Sequence, residues 1–150
     1  MGHKRLEQIK KKFKSDNQKQ LLLLDGALKK LVDYNIAIIQ NDKYTYSPLF
    51  EQTAHNIITS PPGKLKQTKL ANEAGRKLIP EILTMATSKT TRHDIENMLT
   101  AYVCLKTHID EQHLAIDKKI LPDLTYAVWY LNDHNPTLEE VEEWNLTLPA

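Results

Sequence analysis

One cysteine and four glycines are all that this chain of 150 residues contains. A lone thiol, Cys104, excludes an internal disulfide and a cysteine-rich zinc site, and a reduced, cytoplasmic setting is the expectation that follows. With so few glycines there is no glycine-rich phosphate loop, and no Gly-x-Ser-x-Gly stretch is present. The longest unbroken apolar run is Leu21–Leu24. Nothing of that length spans a bilayer, so no membrane partner is expected. The opening residues, MGHKRLEQIKKKFK, are charged and lack the apolar stretch of a secretory signal. A large excess of one charge is missing too: the formal net charge is +1.

What is present is ordinary in bulk and uneven in place. The chain is 41% hydrophobic and 26% charged, the composition of a globular domain long enough to bury a core. Residues 1–20 hold seven cations (Lys4, Arg5, Lys10, Lys11, Lys12, Lys14, Lys19) against Glu7 and Asp16, a net of +5. Residues 131–150 hold Asp133, Glu139, Glu140, Glu142 and Glu143 with no Lys or Arg, a net of −5. Charge runs usually face water. Two sharper readings stand beside that one. The basic end can lie along a phosphate backbone, or the basic end of one copy can meet the acidic end of the next, giving self-association.

Periodicity predicts a mainly α fold of about six to seven helices with one short β-hairpin near residues 36–47. A first helix is expected over about residues 4–14, with Ile9 and Phe13 on one side. A second runs to about Tyr34, with Leu21, Leu24, Leu28, Leu31 and Val32 as its core stripe and Gly26 allowing close approach of a neighbour. Asn35 suits a left-handed helix stop. Ile36–Ile39 form a strand, Asn41–Lys43 the turn and Tyr44–Tyr46 the returning strand. Ser47 and Pro48 open a third helix as N-cap and first residue, in which Leu49, Thr53, Ala54, Ile57 and Ile58 recur at helical period. TSPPGKLKQT, residues 59–68, breaks the pattern. A helix over about 69–87 should kink at Pro80. A long helix is expected over about 92–118, with Met98, Tyr102, Leu105, Ile109 and Ile116 as its stripe and Val103 and Cys104 covered from a second side. Pro122 opens the next helix, and Thr137 with Glu140 has capping-box spacing for a last short one. The organisation expected is a helix–helix–hairpin–helix part over 1–59, a Pro/Gly linker over 60–68 and a helical bundle part over 69–150, together one compact domain.

The order helix, DYNIAIIQNDKYTYSP, helix resembles the end of many winged-helix regulators over residues 18–59. In those proteins a helix stops, a short apolar strand follows, and the returning strand ends in Tyr-x-x-Ser/Thr-Pro. The resemblance implies that the helix before the hairpin enters the major groove and that the hairpin turn contacts backbone or minor groove. Its outward residues here are Lys19, Lys29, Lys30 and Asp33, and Lys43 is the turn's cation.

Other chemistry finds little support. His93, His108, Glu111 and His113 crowd one helix, but no His-Glu-x-x-His or Glu-x-x-His spacing is present. His113, near Ile109 and Ile116 in the apolar stripe, reads as a hydrogen-bonded histidine at the core's edge. Cys104 reads as an inert thiol. The aromatics of YAVWYLND read as core. No catalytic residue, metal or cofactor is expected, and the protein reads as non-enzymatic. The function expected is nucleic-acid association, either as a winged-helix-like transcriptional regulator or as a small helical subunit of a nucleoprotein complex. DNA or RNA phosphates would be met by Lys4, Arg5, Lys10, Lys11, Lys12, Lys14, Lys29, Lys30, Lys43, Lys64, Lys66, Lys69, Arg76 and Lys77. The alternative is a helical protein–protein interaction module that binds no nucleic acid.

Overall fold

The computed structural model describes residues 21–59 and 92–146, together with the single positions 72, 76 and 80. Among the described residues there are five α-helices and one antiparallel hairpin: α1 (residues 21–33), β1 (Ala37–Gln40), β2 (Lys43–Tyr46), α2 (Pro48–Ile58), α3 (Arg92–Glu111), α4 (Leu121–Asp133) and α5 (Leu138–Leu146). A short 3-10 turn, Lys118–Ile120, precedes α4. The mainly helical class with a single hairpin is as expected, with fewer helices than the six to seven anticipated. The expected helices over 4–14 and 69–87 and the 60–68 linker lie outside the described residues.

α1 stops where its sequence says it should. Asn35 has φ 60°. Its N–H reaches Val32 O at 3.0 Å, and Ile36 N–H reaches Leu31 O at 2.8 Å. These are the two bonds of a Schellman stop, which needs a left-handed residue that Asn tolerates. The apolar pair that accompanies the motif, Leu31 and Ile36, is fully buried. The hairpin then turns on two residues, Asn41 (φ 52°) and Asp42 (φ 60°), and Gln40 pairs with Lys43. Two consecutive positive φ values suit a type I′ turn, whose twist matches the strands. Lys43 therefore belongs to the strand and not, as expected, to the turn. Ser47 caps α2, its Oγ accepting from Phe50 N–H at 3.2 Å, with Pro48 in the first turn.

Three expectations need correcting. In α2, Leu49 and Ile58 share the helical period expected of them, but they are 53% and 62% exposed. Phe50, Thr53 and Ala54 are buried and Ile57 packs beside them, a stripe spaced i, i+3, i+4, i+7. The larger Phe50 sets the helix phase, which leaves Leu49 and Ile58 on the flanks. Gly26 is exposed, and among the described residues nothing lies within 4 Å of where a Cβ would stand, so none of them makes a close approach there. The long helix ends at Glu111, not Lys118. His113 takes φ 53°, Leu114 N–H bonds Ile109 O at 3.0 Å, and His113 N–H points to Asp110 O at 3.4 Å. This is a second Schellman stop, and it puts His113 in solvent rather than at the core's edge.

The core gathers around α3. Its consecutive residues Ala101–Leu105 are all buried, so its middle is covered from more than one side, as Val103 and Cys104 suggested. α4 and α2 pack against it. Leu24, Leu28 and Leu31 of α1, Leu124, Val128 and Leu131 of α4, and Val141 of α5 complete the same apolar cluster.

The hairpin is tied into this body through its outer strand. Tyr44 N–H donates to Pro136 O at 2.9 Å, Asn135 Nδ2 donates to Tyr44 O at 3.0 Å, and Leu138 N–H donates to Asp42 O at 2.8 Å. Lys43 forms a single bridge to Thr137, which caps α5 by accepting Glu140 N–H at 3.0 Å. The edge that a two-stranded sheet would leave open is thereby covered.

Candidate functional site

The cations expected to meet phosphate divide sharply by place. Of the fourteen, only Lys29, Lys30, Lys43 and Arg76 fall on described positions, and all four are exposed there. Lys29 is already engaged: its Nζ lies 3.1 Å from an Asp25 carboxylate oxygen, one turn earlier on α1. The other oxygen of Asp25 accepts from Asn145 of α5 at 3.3 Å. Lys29 and Asp25 also act on the Tyr44 phenol, whose pKa burial raises, Lys29 lowers and Asp25 raises. Lys4, Arg5, Lys10, Lys11, Lys12, Lys14, Lys64, Lys66, Lys69 and Lys77 lie outside the described residues.

Charge follows the same division. Residues 21–59 and 92–146 together carry seven Lys or Arg and fifteen Asp or Glu. Residues 1–20 and 60–91 carry thirteen Lys or Arg and four Asp or Glu. Along the sequence, residues 92–146 are acidic by seven charges, and residues 1–20 and 60–91 together are basic by nine. The acid is most concentrated on α5, where Glu139, Glu140, Glu142 and Glu143 are all exposed.

The histidine-rich helix does not assemble a centre. Among the described residues, no group of three His, Cys, Asp or Glu side chains is placed to hold a metal ion. His108 is 2% exposed, its ring edge-on to Phe50 with centroids 5.3 Å apart, and its buried Nδ1 has no hydrogen-bond partner. Desolvation lowers its pKa, opposed in part by Glu111 one turn on. Phe50 meets Tyr46 in the same edge-on manner at 5.0 Å, and Tyr46 donates its hydroxyl to Val128 O. A chain of three rings therefore joins the hairpin, α2 and α3. The Cys104 thiol is buried and pushed up to about 11 by desolvation, so it stays protonated and unreactive near neutrality.

Sequence reasoning missed a groove between α2, α3 and α4. It has a volume of about 350 Å³ and a floor of Tyr46, Phe50, Cys104 and Val128. Half-buried Trp129 forms one wall, and Asn97, Thr100 and Asn132 stand at the mouth. No charged side chain lines it among the described residues. Of YAVWYLND, Tyr126 is core as expected, whereas Trp129 and Tyr130 are only partly covered. The signal available in the sequence was the run of uncharged residues Leu124–Asn132, which reads equally well as buried helix.

No helix among the described residues is long and apolar enough to cross a membrane. No protein-family model, curated protein or solved structure matches this chain.

Proposed function

We propose that this chain is a non-enzymatic, nucleic-acid-associated protein that meets phosphates through Lys and Arg, as a small helical subunit of a nucleoprotein complex. The carrying observation is the segregation of charge. Thirteen of the twenty cations stand in residues 1–20 and 60–91, beside only four acids, while residues 92–146 carry four cations and eleven acids. A phosphate backbone attracts such basic stretches and releases counterions on binding them, whereas residues 92–146 offer it no comparable stretch. The subunit form is favoured over the winged-helix regulator by the hairpin. The carbonyl of Asp42 in its turn is engaged by Leu138, and Lys43 pairs beside the acidic α5. A wing would present that turn to DNA.

The alternative, a protein–protein interaction module without nucleic-acid binding, draws support from the same acidic residues 92–146. Binding of mixed-sequence DNA and RNA at low ionic strength separates the two. The nucleic-acid reading expects binding that weakens steeply as salt rises. No detectable binding of either polymer at low salt removes it.

A further inference from the structure

We propose that the groove between α2, α3 and α4 receives one unpaired nucleobase of a bound single strand. The inference rests on the nucleic-acid reading and adds to it a site that reads bases rather than phosphates. Three properties of the groove point there. Its volume, about 350 Å³, lies in the range of small-ligand clefts. Its floor and wall are apolar and aromatic, and Trp129 is partly open to solvent, so a flat π-system can stack there. Its lining is uncharged, which disfavours a phosphate or an ionised side chain inside it and suits a neutral ligand.

The mouth supplies the polar part. Among the described residues the Asn97 side chain has no hydrogen-bond partner, and Asn132 uses only its Nδ2, in a long 3.4 Å contact with Asp133. The Tyr46 hydroxyl and the Thr100 hydroxyl are committed to Val128 O and Glu96 O. The free groups are thus two carboxamides, each offering a donor and an acceptor in one plane. A base edge presents the same pairing, and an amide side chain is its usual reader. Asp133, next to Asn132, repels a phosphate at that end, so the backbone stays outside while the base enters.

The test uses the full chain and two labelled single strands of equal length, one of mixed sequence and one entirely abasic, which carry the same phosphates. The mixed strand should bind about tenfold more tightly, the scale of one stacked base. Asn97→Ala, at the half-buried rim, and Trp129→Leu should erase that advantage while leaving the abasic affinity unchanged. Quenching of tryptophan fluorescence, lost in the Trp129→Leu variant, should accompany binding of the mixed strand and not of the abasic one. Equal affinity for both strands overturns the groove proposal and leaves phosphate contact standing. An equal loss on both strands in the two variants overturns it as well. No binding of either strand overturns the groove and the nucleic-acid reading together.

Discussion

Among the contacts that join residues 21–59 to 92–146, two are of opposite character. One is a polar seam, in which β2 and the hairpin turn exchange hydrogen bonds with Asn135–Leu138. The other is an aromatic junction, Tyr46–Phe50–His108, in the buried space between the hairpin, α2 and α3. The seam runs mostly through backbone atoms, so it fixes geometry while asking little of the side chains. The junction runs through large buried rings, so it carries energy and depends on each of them. The difference separates what positions the hairpin from what holds it.

Breaking the junction should have the largest effect. Phe50 is fully buried, and Phe50→Ala should cost about 3–5 kcal/mol in chemical denaturation through lost transfer energy and a cavity. A midpoint shift of under 1 kcal/mol would place the energy elsewhere.

The junction should also respond to pH. His108 is buried with its pKa lowered mainly by desolvation, so the unfolded chain takes up this proton first. Its contribution is complete above the unfolded value of about 6.5 and is lost as pH falls through that value toward the lower folded one. Stability measured between pH 8 and pH 5 should fall in the wild type and fall less in His108→Leu. Parallel curves would mean that His108 is not the group responsible.

The seam should be more forgiving. Asn135→Ala removes one bond to Tyr44 O and should cost about 1 kcal/mol. Lys43→Ala should change stability by less than about 0.5 kcal/mol, because the seam at this position uses only its backbone. A loss at Lys43 as large as that at Asn135 would show that its side chain takes part.

The two Schellman stops show how far such structure could be read in advance. Asn35 is a residue that left-handed stops favour, and it follows directly on a clear leucine stripe, so the end of α1 was legible. His113 carries no such signal. Ile116 happens to prolong the stripe of α3, and periodicity ran on across a stop that only backbone geometry reveals. The hairpin, the Ser47 cap and the Thr137 cap were legible because each is local. The seam was not, since Tyr44 and Asn135 are ninety-one residues apart. The groove was not either, because a half-buried Trp129 looks the same in sequence as a buried one. For the site, the charge asymmetry was legible, because it lies in the order of residues along the chain.

On this account phosphate contact belongs to the basic stretches 1–20 and 60–91. That assignment is tested most directly by the salt dependence of single-strand binding in the wild type and in a Lys10→Ala, Lys11→Ala, Lys12→Ala variant. The slope of log affinity against log salt should become shallower by about two when three phosphate contacts are lost, at roughly 0.7 per contact for a single strand. An unchanged slope, or no binding by the wild type at low salt, would contradict it.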